Sequence, residues 1–169
     1  MRPNHHLHGA LRWLAGASIA LGALGAHAAV EGLTGASAGS TRTFNLFAAD
    51  GYIVAADGVQ IYNWGYGAPV ASGGTGLMQY SGPTLKVQQG ETVTVIFTNN
   101  LPTTTSIMFP GQTVTASGGS PGVLAQEAGP SQSVTYTFTA SQAGTYLYQS
   151  GTQPGLQTEM GLVGALIVY

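Results

Sequence analysis

The chain reads as an all-β protein, a two-sheet antiparallel β-sandwich. Three observations predict this. Apolar residues recur with period two in short runs, residues that favour turns separate those runs every 8 to 12 positions or so, and no stretch after Ala28 shows a helical period. About eight or nine short strands of this kind fit two packed sheets.

Residues 1–28 read as a secretory leader. Arg2 and Arg12 lie in a basic start, Trp13 to Ala26 is uncharged, and Ala26-His27-Ala28 is a small-x-small cleavage triplet, which places cleavage after Ala28. The rival reading is an uncleaved anchor, but Trp13 to Val30 is rich in Gly and Ala and falls short of the roughly 20 apolar residues a spanning helix needs. The chain has no Cys, so disulfides are excluded.

Residues 29–40 are small, polar and Gly-rich and read as a flexible linker, and residues 41–169 read as one domain. Thr43 to Phe47, Tyr52 to Ala55 and Gln60 to Tyr66 are strand-like runs set apart by the turn pairs Asp50-Gly51 and Asp57-Gly58. Gly67 to Gly82 reads as a long loop. Pro83 opens a strand to Gln88, Gln89-Gly90 turns the chain, and Thr92 to Thr98 follows with Val93, Val95 and Phe97 on one face. Ser131 to Thr139 repeats that pattern with Val134, Tyr136 and Phe138. Thr145 to Gln149 and Leu162 to Tyr169 complete the set. Tyr146, after Gly144-Thr145, is either a tyrosine corner or a plain core aromatic.

Removing the leader changes the chemistry that remains. His5, His6, His8 and His27 all leave with it, and Arg42 and Lys86 face Glu31, Asp50, Asp57, Glu91, Glu127 and Glu159, for a net charge of −4. Two basic side chains cannot neutralise a run of phosphates, so nucleic acid is not an expected partner. Without histidine, Ser150 has no base and a serine triad is excluded. A paired-carboxylate hydrolase would need two of six acids in one cleft, yet Asp50 and Asp57 sit in turn pairs, Glu91 follows a turn glycine as a surface charge would, and Glu127 and Glu159 fall in loops. Gly73-Gly74 and Gly118-Gly119 lack the strand-to-helix setting of a phosphate loop.

The run Gly82-Pro83-Thr84-Leu85-Lys86-Val87-Gln88-Gln89-Gly90-Glu91-Thr92-Val93-Thr94-Val95, followed by Thr98-Asn99-Asn100-Leu101-Pro102, closely resembles the start of the first domain of multicopper oxidases. Pro130 to Thr139, Ala143 to Tyr148 and Gly161 to Val168 continue the resemblance. It implies a Greek-key, cupredoxin-like sandwich. Family members that bind copper here carry His-x-His-Gly after the Asn-x-Leu-Pro turn and His-x-His after Gly-Thr-Tyr, half the ligands of a trinuclear cluster between the first and last domains. The corresponding positions here hold Met108, Pro110, Gln149 and Gly151. No metal site is therefore expected in this chain, and copper enters by family resemblance only. A blue-copper centre, which needs two His and one Cys, is excluded in the mature chain. One metal alternative is a thioether Cu(I) site built from Met78, Met108 and Met160.

The function expected is an exported structural or assembly module of an oxidase whose copper sites lie in other cupredoxin domains or chains. Those domains would be its partners, and the compartment would be periplasmic or extracellular, with no membrane contact after leader cleavage. The alternatives are a stand-alone binding module using Met108, Phe109, Tyr148, Gln149 and the loops Gly67 to Gly82 and Pro110 to Pro130, and a copper-dependent oxidase in its own right. The chain stops at Tyr169, where one such domain would end, which suggests a shortened product or a separately encoded subunit.

Overall fold

The computed structural model describes residues 32–70 and 76–169. The leader, its four histidines and Gly73-Gly74 lie outside the described residues. The strands are β1 Ala36–Ala38, β2 Thr41–Val54, β3 Gln60–Gly67, β4 Met78–Gln79, β5 Leu85–Val87, β6 Thr92–Asn99, β7 Thr105–Ser106, β8 Thr115–Gly118, β9 Ser120–Pro121, β10 Gln126–Ala128, β11 Ser133–Thr139, β12 Gly144–Gln149 and β13 Val163–Val168. One short helix, α1 Pro154–Glu159, lies between β12 and β13. It is too short to leave a helical period in the sequence.

The larger sheet runs β4-β3-β2-β6-β11-β8, with β1 also on β2. The second layer is β12-β13-β5, and β7-β10-β9 forms a small third sheet. Strand pairing is mixed, since β2 runs parallel to β6 and β13 parallel to β5. The period-two faces meet in the core: Val93, Val95, Phe97, Val134, Tyr136 and Phe138 from the larger sheet pack toward Leu85, Val87, Tyr148, Leu166 and Val168, and all are buried.

Three expectations need correcting. Residues 29–40 are not wholly a linker, because Leu33 N–H donates to Thr84 O (2.7 Å), Lys86 N–H donates to Leu33 O (2.8 Å), and β1 pairs with β2. The chain entering the domain is thus held as a strand against β5. Asp50-Gly51 is not a turn: both residues pair with β3, opposite Trp64 and Asn63, and β2 runs through them unbroken. A Cβ at Gly51 would lie 2.7 Å from Met78 Cε, so close side-chain approach accounts for this glycine. Asp57-Gly58 does turn the chain, with Gly58 at φ +85° and Val59 N–H donating to Asp57 Oδ1 (3.1 Å). The loop from Pro110 to Pro130 contains β8, β9 and β10.

Glu91 is the third correction, for it is buried rather than a surface charge. Arg42 donates from Nη2 to Glu91 Oε1 (2.6 Å) and from Nε to Oε2 (3.3 Å), while Gln88 N–H donates to Oε2 (2.8 Å). The Arg42 hydrogen bonds, then that of Gln88, hold the Glu91 carboxyl below its usual range. A depressed folded-state value means the stabilisation is full above the unfolded carboxylate value of about 4.3 and is lost as pH falls through the lower folded one. Glu91→Gln is expected to lower stability by about 1–2 kcal/mol at pH 7. The difference from the parent chain should shrink as the pH is taken below 4 in urea titrations, and a pH-independent difference would contradict this role.

Tyr146 forms the tyrosine corner, its hydroxyl donating to Gln142 O (3.0 Å).

Candidate functional site

The two segments carrying positions 108, 110, 149 and 151 lie side by side. Met108 and Gln149 exchange both backbone hydrogen bonds, Met108 N–H to Gln149 O (2.8 Å) and Gln149 N–H to Met108 O (3.1 Å), as an isolated antiparallel bridge. Alternation along each segment sets the faces. Ile107 and Phe109 are buried inward, so Met108 and Pro110 project the other way. Tyr148 and Ser150 are likewise buried, which leaves Gln149 beside Met108 on the outer face. The structure thus brings Met108 and Gln149 directly opposite each other, with positions 110 and 151 on the same face.

Phe109 and Tyr148 belong to the core, not to a surface patch. The Phe109 ring centroid is 4.9 Å from that of Phe138, 5.9 Å from Tyr148 and 6.2 Å from Tyr136. Tyr136 ties the segment to β10, its hydroxyl accepting from Ile107 N–H (3.1 Å) and donating to Gln126 O (2.5 Å). Burial pushes this phenol up to about 12, and burial also raises those of Tyr66 and Tyr148. None of the three supplies a proton acceptor at neutral pH. Beside them an uncharged cleft of about 480 Å³ is lined by Met108, Phe109, Pro110, Gln112, Leu124, Gln126 and Tyr136, among others.

Behind the bridge lies a polar network that sequence reading missed. Gly151 N–H donates to Ser106 Oγ (3.0 Å), which lies 3.0 Å from Thr152 Oγ1, and Thr152 Oγ1 donates to Glu127 Oε1 (2.8 Å). Because the Thr152 proton goes to Glu127, Ser106 is the donor to Thr152, and the chain has one direction. Gln157, on α1 and buried, accepts at Oε1 from Thr105 Oγ1 (2.8 Å) and Ser150 Oγ (2.6 Å), and donates from Nε2 to Thr104 O (2.9 Å). It joins the two segments that present positions 108 and 149. Ser150 falls at an inward position of its segment, a polar interruption that could have flagged it, whereas Ser106 is buried although alternation with Ile107 puts it on the side of Met108. Gln157 carried no such signal.

A family model described as multicopper oxidase matches residues 76–169, more than half of the chain. The chain belongs to the multicopper oxidase family. Copper resistance protein A of Escherichia coli is 38% identical over 88 residues, 52% of this chain and 14% of that protein. Laccase-1 of Emericella nidulans is 33% identical over 114 residues, 62% of this chain and 18% of that protein. Among solved structures, a multi-copper oxidase from Pseudomonas thermotolerans superposes with a TM-score of 0.62 at 28% identity, covering 76% of this chain and 29% of that one. The chain thus spans about a seventh of the first curated relative's length.

Copper is the metal this multicopper oxidase family implies, and the residues at the four positions do not fit it. Met108 offers a thioether and Gln149 a neutral amide, while Pro110 and Gly151 have no donor side chain. Position 151 is also packed: a Cβ there would lie 3.1 Å from Ala125 Cβ, 3.2 Å from Ser106 Oγ and 3.4 Å from Leu124 Cβ. Among the described residues no three His, Cys, Asp or Glu side chains gather around a common point. Met78 and Met108 lie apart in the fold, Met78 on β4 with its sulfur 3.8 Å from Asn63 Nδ2, and Met108 at the Gln149 bridge. No helix among the described residues is long and apolar enough to cross a membrane.

Proposed function

We propose that this chain is an exported, copper-free cupredoxin-like domain that acts as a structural and assembly module beside cupredoxin domains or chains that hold the copper. The observation that carries this reading is the Met108–Gln149 bridge. The strand pair that would present ligands keeps its pairing, while the donors on it are gone and the room at position 151 is filled. Export is supported by the leader-like residues 1–28. The burial of Phe109 and Tyr148 in the core favours a structural role over a ligand-binding patch.

The test is affinity purification of the chain from its host under gentle lysis, with copper measured by mass spectrometry on each separated component. The expected result is a His-rich cupredoxin partner that carries the copper and a chain that carries less than about 0.1 equivalent. Recovery of the chain alone would overturn the assembly role, and stoichiometric copper on the isolated chain would overturn the copper-free reading. A stand-alone binding module is the second reading, favoured by the cleft of about 480 Å³ at Met108 and Tyr136, a size suited to small ligands.

A further inference from the structure

Among the described residues, β2 pairs with β6 only as far as Ala48 opposite Asn99, yet it continues to Val54 paired with β3 alone. On the other side, β4 covers β3 only at Tyr66 and Gly67. The outer part of the hairpin is therefore a two-stranded ribbon, closed by the Asp57-Gly58 turn, that extends past the sandwich. A ribbon of two strands is marginal in water without a further strand or surface against it. This one is also apolar, with Tyr52 64%, Val54 68%, Val59 54% and Ile61 48% exposed.

The phase of its free edges can be read from one bond. Trp64 N–H points away from β2 and donates to Met160 O (2.9 Å). By alternation, Asp50, Tyr52 and Val54, which face Trp64, Tyr62 and Gln60 across the pair, direct their backbone N–H and C=O to the outer edge of β2. Among the described residues these groups have no backbone partner. One face of the ribbon is stiffened: Tyr52 and Tyr62 meet edge to face at 5.5 Å, Tyr62 donates to Asp50 Oδ2 (3.0 Å), and Trp64 Nε1 donates to the Tyr62 hydroxyl (3.0 Å).

We propose that this ribbon is a self-association arm whose β2 edge pairs antiparallel with the β2 edge of a second copy, about a two-fold axis at Tyr52. Two features select a second copy as the occupant. An antiparallel edge is complementary to itself about a two-fold axis and closes as a dimer without growing into a filament. Charge allows it, because from Asp50 to Tyr62 the ribbon carries only Asp50 and Asp57, and pairing about Tyr52 sets each Asp50 opposite Val54 of the other copy rather than opposite its own counterpart. Pairing about Tyr52 sends the two Asp57 tips to opposite ends, on the order of 30 Å apart and beyond the screening length at physiological salt. The area is that of a weak contact: pairing along the β2 edge covers Tyr52 and Val54, whereas Val59 and Ile61 stand on the far strand and stay outside it, so the interface falls below the roughly 1,000 Å² of stable complexes.

The experiment is analytical ultracentrifugation of the chain as purified from its host, from about 1 to 100 µM, a range that brackets micromolar dissociation constants. A concentration-dependent monomer–dimer equilibrium is expected. Val54→Pro removes only an outward N–H, so it should abolish the dimer while leaving the melting temperature nearly unchanged. The chain has no cysteine, so Tyr52→Cys gives a second readout that traps even a weak dimer covalently. Mild oxidation should link two copies at the axis, whereas Thr139→Cys, exposed on β11, should not. A monomer throughout with no Tyr52→Cys link above the control would overturn the proposal. So would a dimer indifferent to Val54→Pro, or a link formed to a different protein. Recovery of a copper-bearing partner, or failure to recover one, does not bear on these readouts.

Discussion

Gln157→Met should cost about 3–5 kcal/mol, a large share of the stability of a domain of this size. The substitution keeps the volume nearly constant, so packing changes little and hydrogen bonding carries the effect. Two groups lose their side-chain partner outright, Thr105 Oγ1 and Thr104 O, and Ser150 Oγ loses one of its two acceptors. Each buried polar group left without a partner costs about 1–3 kcal/mol, and Ser150 keeps Thr152 O as acceptor (3.0 Å) and Thr152 N–H as donor (3.0 Å). Equilibrium urea unfolding measures the loss, and a value under about 1 kcal/mol would show that the side chain does not join the two segments as described. The loss would also reach the Met108–Gln149 bridge, because α1 holds both strands from behind.

The second large effect is expected at Gly164. This glycine lies opposite Tyr148 in the β12–β13 pair, and a Cβ there would overlap the Tyr148 ring, with Cε1 at 2.5 Å and Cζ and the hydroxyl closer still. The ring has no free direction of retreat. It is fully buried, its hydroxyl donates to Pro83 O (2.6 Å), and it packs on Tyr66 at 5.5 Å and Phe109 at 5.9 Å. Gly164→Ala should therefore cost about 2–4 kcal/mol through overpacking, more than its small size suggests. In a Tyr148→Leu background the same substitution should cost far less, because the obstructing ring is gone. Additive losses in that double-mutant cycle would refute the steric account.

Much of the fold was legible because the sheets bury one face. Val93, Val95 and Phe97 in β6 and Val134, Tyr136 and Phe138 in β11 alternate without interruption, and all six are buried. Turn chemistry was less reliable. Asp50-Gly51 and Asp57-Gly58 carry the same residues, but only the second bends the chain, because the first is paired to β3 across its whole length. Local preference gave way there to pairing with a distant strand. Glu91 looked like a surface charge because its partner, Arg42, lies 49 residues away in the chain. The four family positions were read from motif, and of these the structure pairs 108 with 149. The network of Ser106, Thr152, Glu127 and Gln157 was not, since it joins side chains from three separate stretches of chain that no local pattern connects.

The packing around Gly151 bears on how this domain can change over generations. With Ala125 Cβ, Ser106 Oγ and Leu124 Cβ at 3.1, 3.2 and 3.4 Å from the place a Cβ would take, any side chain at 151 needs its neighbours to give by a few tenths of an ångström. A change at 151 is therefore coupled to the residues at 106, 124 and 125, and substitutions at these positions are expected not to add independently.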